Sequence, residues 1–86
     1  MPTYIKKPVA VEAFRLDAND APPQWFIDAV GNRVFPMDDG NYLIRTWEGD
    51  MIARLGHFVV KGLRGELYPV KPEVFYETYD LAGGER

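Results

Sequence analysis

Short apolar runs separated by glycine and proline fill residues 46–79, and this spacing limits what the chain can fold into. The segment reads TWEGDMIARLGHFVVKGLRGELYPVKPEVFYETY. Glycine adopts positive φ at little cost and proline fixes φ, so both residue types mark turns. The apolar runs have the length of ordinary strands, about five residues. The pattern therefore predicts β-hairpins.

The amino-terminal part of the chain predicts a strand followed by a helix. Residues 9–16 are rich in β-branched and aromatic side chains, which favours a strand. A short helix is expected from Pro23 to Val30, because proline suits the first turn of a helix. Gly31 then suits the left-handed residue that closes a helix. The sequence predicts no second helix of this length.

Turn signals divide the rest of the chain into strands that should pair with their neighbours. Asp39-Gly40, for example, is typical of a hairpin turn. The strands predicted in this way are residues 33–36, 42–46, 51–55, 58–61 and 66–70. Residues 74–81 should form either a last strand or a short helical turn followed by a strand.

These elements predict an α+β fold: a small antiparallel, strongly twisted sheet, or a partly open barrel, of about six strands with one short helix. At 86 residues the chain is long enough for one core only. We expect residues 1–82 to form a single compact domain and residues 83–86 a flexible tail. A last strand at residues 74–79 would leave an edge through which two copies could form a homodimer.

Composition restricts the chemistry that the chain can perform. It has no cysteine, which excludes disulfides and thiolate zinc sites, and its formal net charge of −3 argues against a general nucleic-acid binder. Nothing resembles a signal peptide, and no run approaches the roughly 20 apolar residues that span a bilayer. We therefore expect a cytoplasmic protein, without a membrane, cofactor or metal partner.

Several stretches share their order and spacing with a known family. They are KKPV at residues 6–9 with VEAF at 11–14, Pro23 with Trp25, TxEGxMxA at 46–53, and residues 56–79 with their Lys-Gly, Gly-Glu, Tyr-Pro and Lys-Pro pairs. Together they resemble the PGDYG-motif family of small bacterial and phage proteins. The chain has Leu-Gly-His-Phe at 55–58 where that family has Pro-Gly-Asp and an aromatic residue. The resemblance implies an accessory role of phage or prophage type and no particular chemistry.

Catalytic residues are scarce in the sequence. His57 is the single histidine, and neither serine nor cysteine is present to act with it as a nucleophile. Glu48 and Asp50 stand two residues apart, as an acid and a base on one face of a strand would. Because Glu48 and Asp50 flank a glycine, a turn explains them at least as well. An enzyme that uses His57 or Glu48 and Asp50 is therefore the third choice of function.

Basic and aromatic residues alternate between residues 47 and 71, and they are the best candidates for a binding site. The candidate site residues are Trp47, Arg54, Lys61, Arg64, Tyr68 and Lys71. The first hypothesis is a non-enzymatic interaction module that contacts a protein partner through residues 54–71. The second hypothesis is a binder of a nucleotide or another small anion, in a pocket lined by Trp47, Tyr68 and a basic residue. An ordinary solvated face also explains the basic residues.

Overall fold

The computed structural model describes residues 2–4, 9–17 and 19–80, and these contain six strands and two helices. The elements are β1 (Glu12–Arg15), α1 (Gln24–Ala29), β2 (Val34–Pro36), β3 (Tyr42–Thr46), β4 (Gly49–Ala53), β5 (Phe58–Lys61), β6 (Leu67–Val70) and α2 (Pro72–Thr78). The predicted tail at 83–86 lies outside the described residues. Within the described part of the chain, neither helix is long and apolar enough to cross a membrane.

The six strands form two antiparallel three-stranded sheets. Sheet A has the order β1-β5-β6 and sheet B the order β2-β3-β4. The predicted α+β class and the strand count are confirmed. The alternatives of one sheet or a partly open barrel are wrong, because the sheets are separate and do not close into a barrel.

The connection between β4 and β5 explains why there are two sheets. The N–H of Gly56 donates to the carbonyl of Leu16 at 2.7 Å, and the N–H of Leu16 donates to the carbonyl of His57 at 2.8 Å. Gly56 has a φ of +89°, which an L side chain rarely adopts. These bonds bring the chain to the end of β1, so β5 pairs with β1 instead of continuing sheet B.

The main core lies where α1 and the two sheets meet. Phe26 of α1 is almost fully buried, and its ring contacts Phe14 of sheet A and Tyr42 of sheet B edge to face. The centroid distances are 5.0 Å and 5.1 Å, in the range that is favourable for aromatic pairs. Buried aliphatic residues complete the core: Leu16, Val34, Ile44, Val59 and Leu67. The predicted short helix is confirmed, with Pro23 as its N-cap residue.

The carboxy-terminal segment forms the helix α2, so the alternative of a last strand at residues 74–81 is wrong, whereas the alternative that began with a helical turn agrees with the structure in its first part. Pro72 occupies the first turn of α2, and Phe75 stacks on Phe58 of β5 with ring centroids 3.8 Å apart. The outer face of sheet A is apolar there, and α2 presents Phe75 to it. Tyr79, the residue directly after the helix, contacts the Phe75 ring with centroids 5.1 Å apart. Residues 74–79 therefore offer no strand edge to a second copy, and the homodimer through an edge strand stays a prediction without this strand.

Removal of the Phe75 ring should weaken the attachment of α2. We expect Phe75→Ala to lower the free energy of unfolding by about 2 kcal/mol, less than for a fully buried phenylalanine because Phe75 is half-buried. Urea unfolding followed by near-ultraviolet circular dichroism measures this loss. Val74→Ala is the matched control in the same helix, since Val74 is 48% exposed, and it should change the free energy by well under half as much.

The β5–β6 turn depends on a missing side chain at Gly62. The Oε1 atom of Glu66 accepts a hydrogen bond from the N–H of Arg64 at 2.9 Å. A Cβ atom at Gly62 would lie 2.6 Å from that same oxygen, which is too close for a contact. The carboxylate of Glu66 can therefore reach the turn only because residue 62 has no side chain.

Gly62→Ala should consequently displace the carboxylate of Glu66 and break its bond to Arg64. We expect a loss of about 1 kcal/mol in the free energy of unfolding, the usual value of one hydrogen bond. A double-mutant cycle with Glu66→Ala measures the coupling between the two positions. If Gly62→Ala lowered the free energy of unfolding equally with and without the Glu66 side chain, this explanation would be contradicted.

Candidate functional site

A groove of about 320 Å³ lies between the tip of the β3–β4 hairpin and strand β6. It is called the Trp47 groove below. Its lining residues are Thr46, Trp47, Glu48, Met51, Glu66, Leu67, Tyr68 and Pro69. The volume is at the small end of the range for ligand pockets, about 300–1,000 Å³, so it suits one side chain or a small molecule.

Hydrogen bonds between the neighbours of Trp47 fix the backbone turn that carries this residue. The Oγ1 atom of Thr46 donates to the carbonyl of Gly49 at 2.6 Å and accepts from the N–H of Glu48 at 3.1 Å. Gly49 has a φ of +113°, so the chain can reverse direction after only Trp47 and Glu48. The result is a defined turn that leaves 75% of Trp47 exposed.

Strand β6 contributes both of its faces to the groove, because it is an edge strand of sheet A. Leu67 points into the main core and is 2% exposed, whereas Tyr68 points to the opposite face, toward α2. Pro69 lacks an N–H group, which is tolerated at a sheet edge. The groove therefore follows the free edge of β6.

Tyr68 is a neutral group of this groove. Its hydroxyl lies 3.2 Å from the hydroxyl of Tyr79. Burial raises the pKa of the Tyr68 phenol, and the hydrogen bond to Tyr79 and the negative charge of Glu66 raise it further. Tyr68 therefore remains protonated at neutral pH and can offer an aromatic ring without a charge.

The charges that line the groove are both negative. Glu48 and Glu66 are carboxylates, and no lysine, arginine or histidine among residues 2–4, 9–17 and 19–80 lines the groove. Opposite charges attract more strongly beside a low-dielectric apolar wall than in open water. The arrangement consequently favours a cation over an anion.

The structure brings two of the six predicted site residues together. Trp47 and Tyr68 both line the groove, as predicted for a ligand pocket. The basic residue that was predicted beside them is not part of the lining. Lys61 pairs with Leu67 across sheet A and therefore lies on the face opposite to Tyr68, where its ammonium group is 4.0 Å from the carboxylate of Glu12.

The other basic candidates are spread over separate places. Arg54 lies in the β4–β5 connection, Arg64 in the β5–β6 turn, and Lys71 directly before α2. Arg64 and Lys71 stand beyond opposite ends of β6, and its four residues span about 13 Å. With Lys61 on the core-side face, the fold does not gather these residues on one side of sheet A.

The residues considered for catalysis are also not collected in the groove. The N–H of His57 donates to the carbonyl of Arg54 at 2.9 Å, so the backbone of His57 belongs to a turn. Asp50 lies on β4 opposite Arg45, and of the pair Glu48 and Asp50 only Glu48 lines the groove. Among residues 2–4, 9–17 and 19–80, no group of three or more histidine or acidic residues could hold a metal ion.

Five groove residues were not candidates for a site at the level of sequence: Thr46, Met51, Glu66, Leu67 and Pro69. Thr46 and Met51 lie near Trp47 because they belong to the same hairpin. The other three residues lie beside it only because β6 and the residue before it pass the tip of a hairpin that belongs to the other sheet. No local sequence pattern indicates such a contact. The nearest signal is the Trp47-Glu48-Gly49 stretch itself, which places a large aromatic residue in a turn.

The chain matches no protein-family model, and comparisons with curated proteins and with solved structures found no significant match. The resemblance to the PGDYG-motif family stays a prediction.

The raised pKa of Tyr68 should make stability depend on alkaline pH. In the unfolded chain tyrosine loses its proton near its ordinary pKa of 10.0, whereas folded Tyr68 loses it at higher pH. The stabilisation is therefore complete below pH 10 and declines above it. Urea unfolding at a series of alkaline pH values should show a smaller decline for Tyr68→Phe than for the native chain. If the free energy of unfolding declined equally with pH in both proteins, Tyr68 would not be the source of the alkaline pH dependence.

Proposed function

We propose that this protein is a non-enzymatic binding module and that the Trp47 groove is its contact surface. The observation that carries the proposal is the exposure of Trp47, of which 75% is open to solvent on a hydrogen-bonded turn beside a groove. Exposed tryptophan is uncommon in ordinary surfaces and frequent in binding sites, where it contributes much of the binding free energy.

The position of the carboxylates supports a binding module over an enzyme. Glu66 of the groove is engaged by the N–H of Arg64, and His57 belongs to a turn outside the groove lining. A general acid or base must lie within hydrogen-bonding distance of the reacting group. The residues nominated from the sequence do not converge on one such point.

The same carboxylates favour an interaction module over a binder of nucleotides or other anions. Glu48 and Glu66 would repel a phosphate in the groove, and no basic side chain in the described part of the lining would compensate. The first hypothesis from the sequence is thus retained, with its contact surface moved from residues 54–71 to the Trp47 groove. An accessory role of phage type remains the expectation from the family resemblance.

Fragment binding followed by two-dimensional ¹H–¹⁵N NMR tests this proposal. A small library of apolar and aromatic fragments at millimolar concentration should shift the indole N–H signal of Trp47 and amides along β6. Trp47→Ala should weaken the binding about tenfold or more, as for the removal of a tryptophan hot spot, without loss of stability.

Leu63→Ala is the matched control for this experiment. Leu63 is also 75% exposed, but it lies in the β5–β6 turn and outside the groove lining. Its replacement should leave fragment affinity unchanged. Fragment shifts that map away from the groove, or that survive Trp47→Ala, would overturn the proposal.

A further inference from the structure

We propose that the Trp47 groove receives a lysine or arginine side chain of a partner polypeptide. This inference rests on the binding function proposed above and specifies the chemistry of its ligand. It combines three properties of the groove: its negative charges, its exposed aromatic ring and its apolar walls.

Charge complementarity is the first argument for a cationic ligand. Both charged residues in the described part of the lining, Glu48 and Glu66, are acidic. Among the described residues, the carboxylate of Glu48 takes part in no hydrogen bond or ion pair. Glu66 uses one oxygen for the N–H of Arg64, and a carboxylate can accept several hydrogen bonds. Both carboxylates can therefore accept further hydrogen bonds from a donor that is not part of this chain.

The aromatic ring of Trp47 is the second argument. Indole binds a cation over its face more strongly than the other aromatic side chains do. An intramolecular cation–π contact in this chain involves the other tryptophan, Trp25, whose ring lies 6.0 Å from the ammonium group of Lys61. No described cation of the chain occupies the corresponding position at Trp47, whose ring is open to solvent.

The apolar walls of the groove fit the carbon stem of such a side chain. Met51, Leu67 and Pro69 line the groove together with the neutral ring of Tyr68. Lysine and arginine bury their methylene groups against apolar surface while the charged end remains at a polar rim. A purely hydrophilic cation such as a metal ion would gain nothing from these walls.

The shape of the site favours a side chain on a polypeptide over a free amine. The groove follows the edge of β6 and is open along the hairpin tip, so a small amine would leave most of Trp47 exposed to water. A peptide that inserts one basic side chain can lay its neighbouring backbone across the indole. Burial of that additional apolar surface is the main source of affinity in such contacts.

Matched tripeptides test the proposal on the unsubstituted 86-residue chain. The probes are acetyl-Gly-Lys-Gly-amide and acetyl-Gly-Arg-Gly-amide, with norleucine and citrulline as their uncharged counterparts. Titration followed by ¹H–¹⁵N NMR reports on the indole N–H of Trp47, and the indole N–H of Trp25 serves as an internal reference. We expect the charged peptides to bind about tenfold more tightly than the uncharged ones at low salt.

Two double variants distinguish the effect of the groove charges on peptide binding from the effect of the net charge of the chain. Glu48→Gln with Glu66→Gln should reduce the tenfold preference to about twofold or less, and glutamine at residue 66 keeps an acceptor for Arg64. Glu73→Gln with Glu77→Gln removes two charges from α2, outside the groove, and should preserve the preference. Half-molar sodium chloride should also reduce the preference, because salt screens exposed charges.

The outcomes distinguish failure of this inference from failure of the proposed function. Equal binding of charged and uncharged peptides would overturn the inference, while the shifts at Trp47 would still support a binding groove. Binding of free butylammonium as tightly as the lysine peptide would overturn the polypeptide as occupant. Absence of shifts with peptides and with fragments alike would overturn both proposals.

Discussion

The contact of Phe26 with both sheets is the interaction on which the rest of the structure depends. A three-stranded sheet cannot bury its apolar face alone, and the two sheets here share no strand pairing. The ring of Phe26 packs edge to face on Phe14 of sheet A and on Tyr42 of sheet B. Together with the direct packing of β6 against β3 and β4, this contact brings the sheets into one core. The groove follows from the same arrangement, since its two sides belong to different sheets.

The local elements were predictable because their signals are local. Asp39-Gly40 closes the β2–β3 hairpin, with Gly40 at a φ of +84°, and Pro23 begins the first helix. The second helix was predicted only as a short turn, in one of two alternatives, because β-branched and aromatic residues around Phe75 favour a strand by propensity. The deciding factor is tertiary: β5 carries apolar residues on both faces, and its outer face needs a cover. The sequence of β5, FVVK, could have predicted a covering helix. Apolar residues on both faces of a strand indicate a sheet that is covered on both sides.

The site was predictable only in part, and the register of sheet A explains the difference. Trp47 and Tyr68 were recognised as aromatic candidates, but the basic residue expected beside them was not found there. Lys61 pairs with Leu67 and Tyr68 pairs with Val60, so Lys61 and Tyr68 face opposite sides of the sheet. Side chains one residue apart on a strand point to opposite faces of the sheet. The density of charged residues along a sequence does not indicate which face each of them occupies.

Glu66 connects the stability of the β5–β6 turn with the charge of the groove. Its carboxylate is held by the N–H of Arg64 and lies over Gly62, so its orientation is set before any ligand arrives. Glu48 has no such restraint among the described residues and must lose side-chain freedom on binding. The two carboxylates should therefore contribute unequally to ligand affinity. Glu66 offers a preorganised acceptor, and Glu48 offers an adjustable one that can follow ligands of different length.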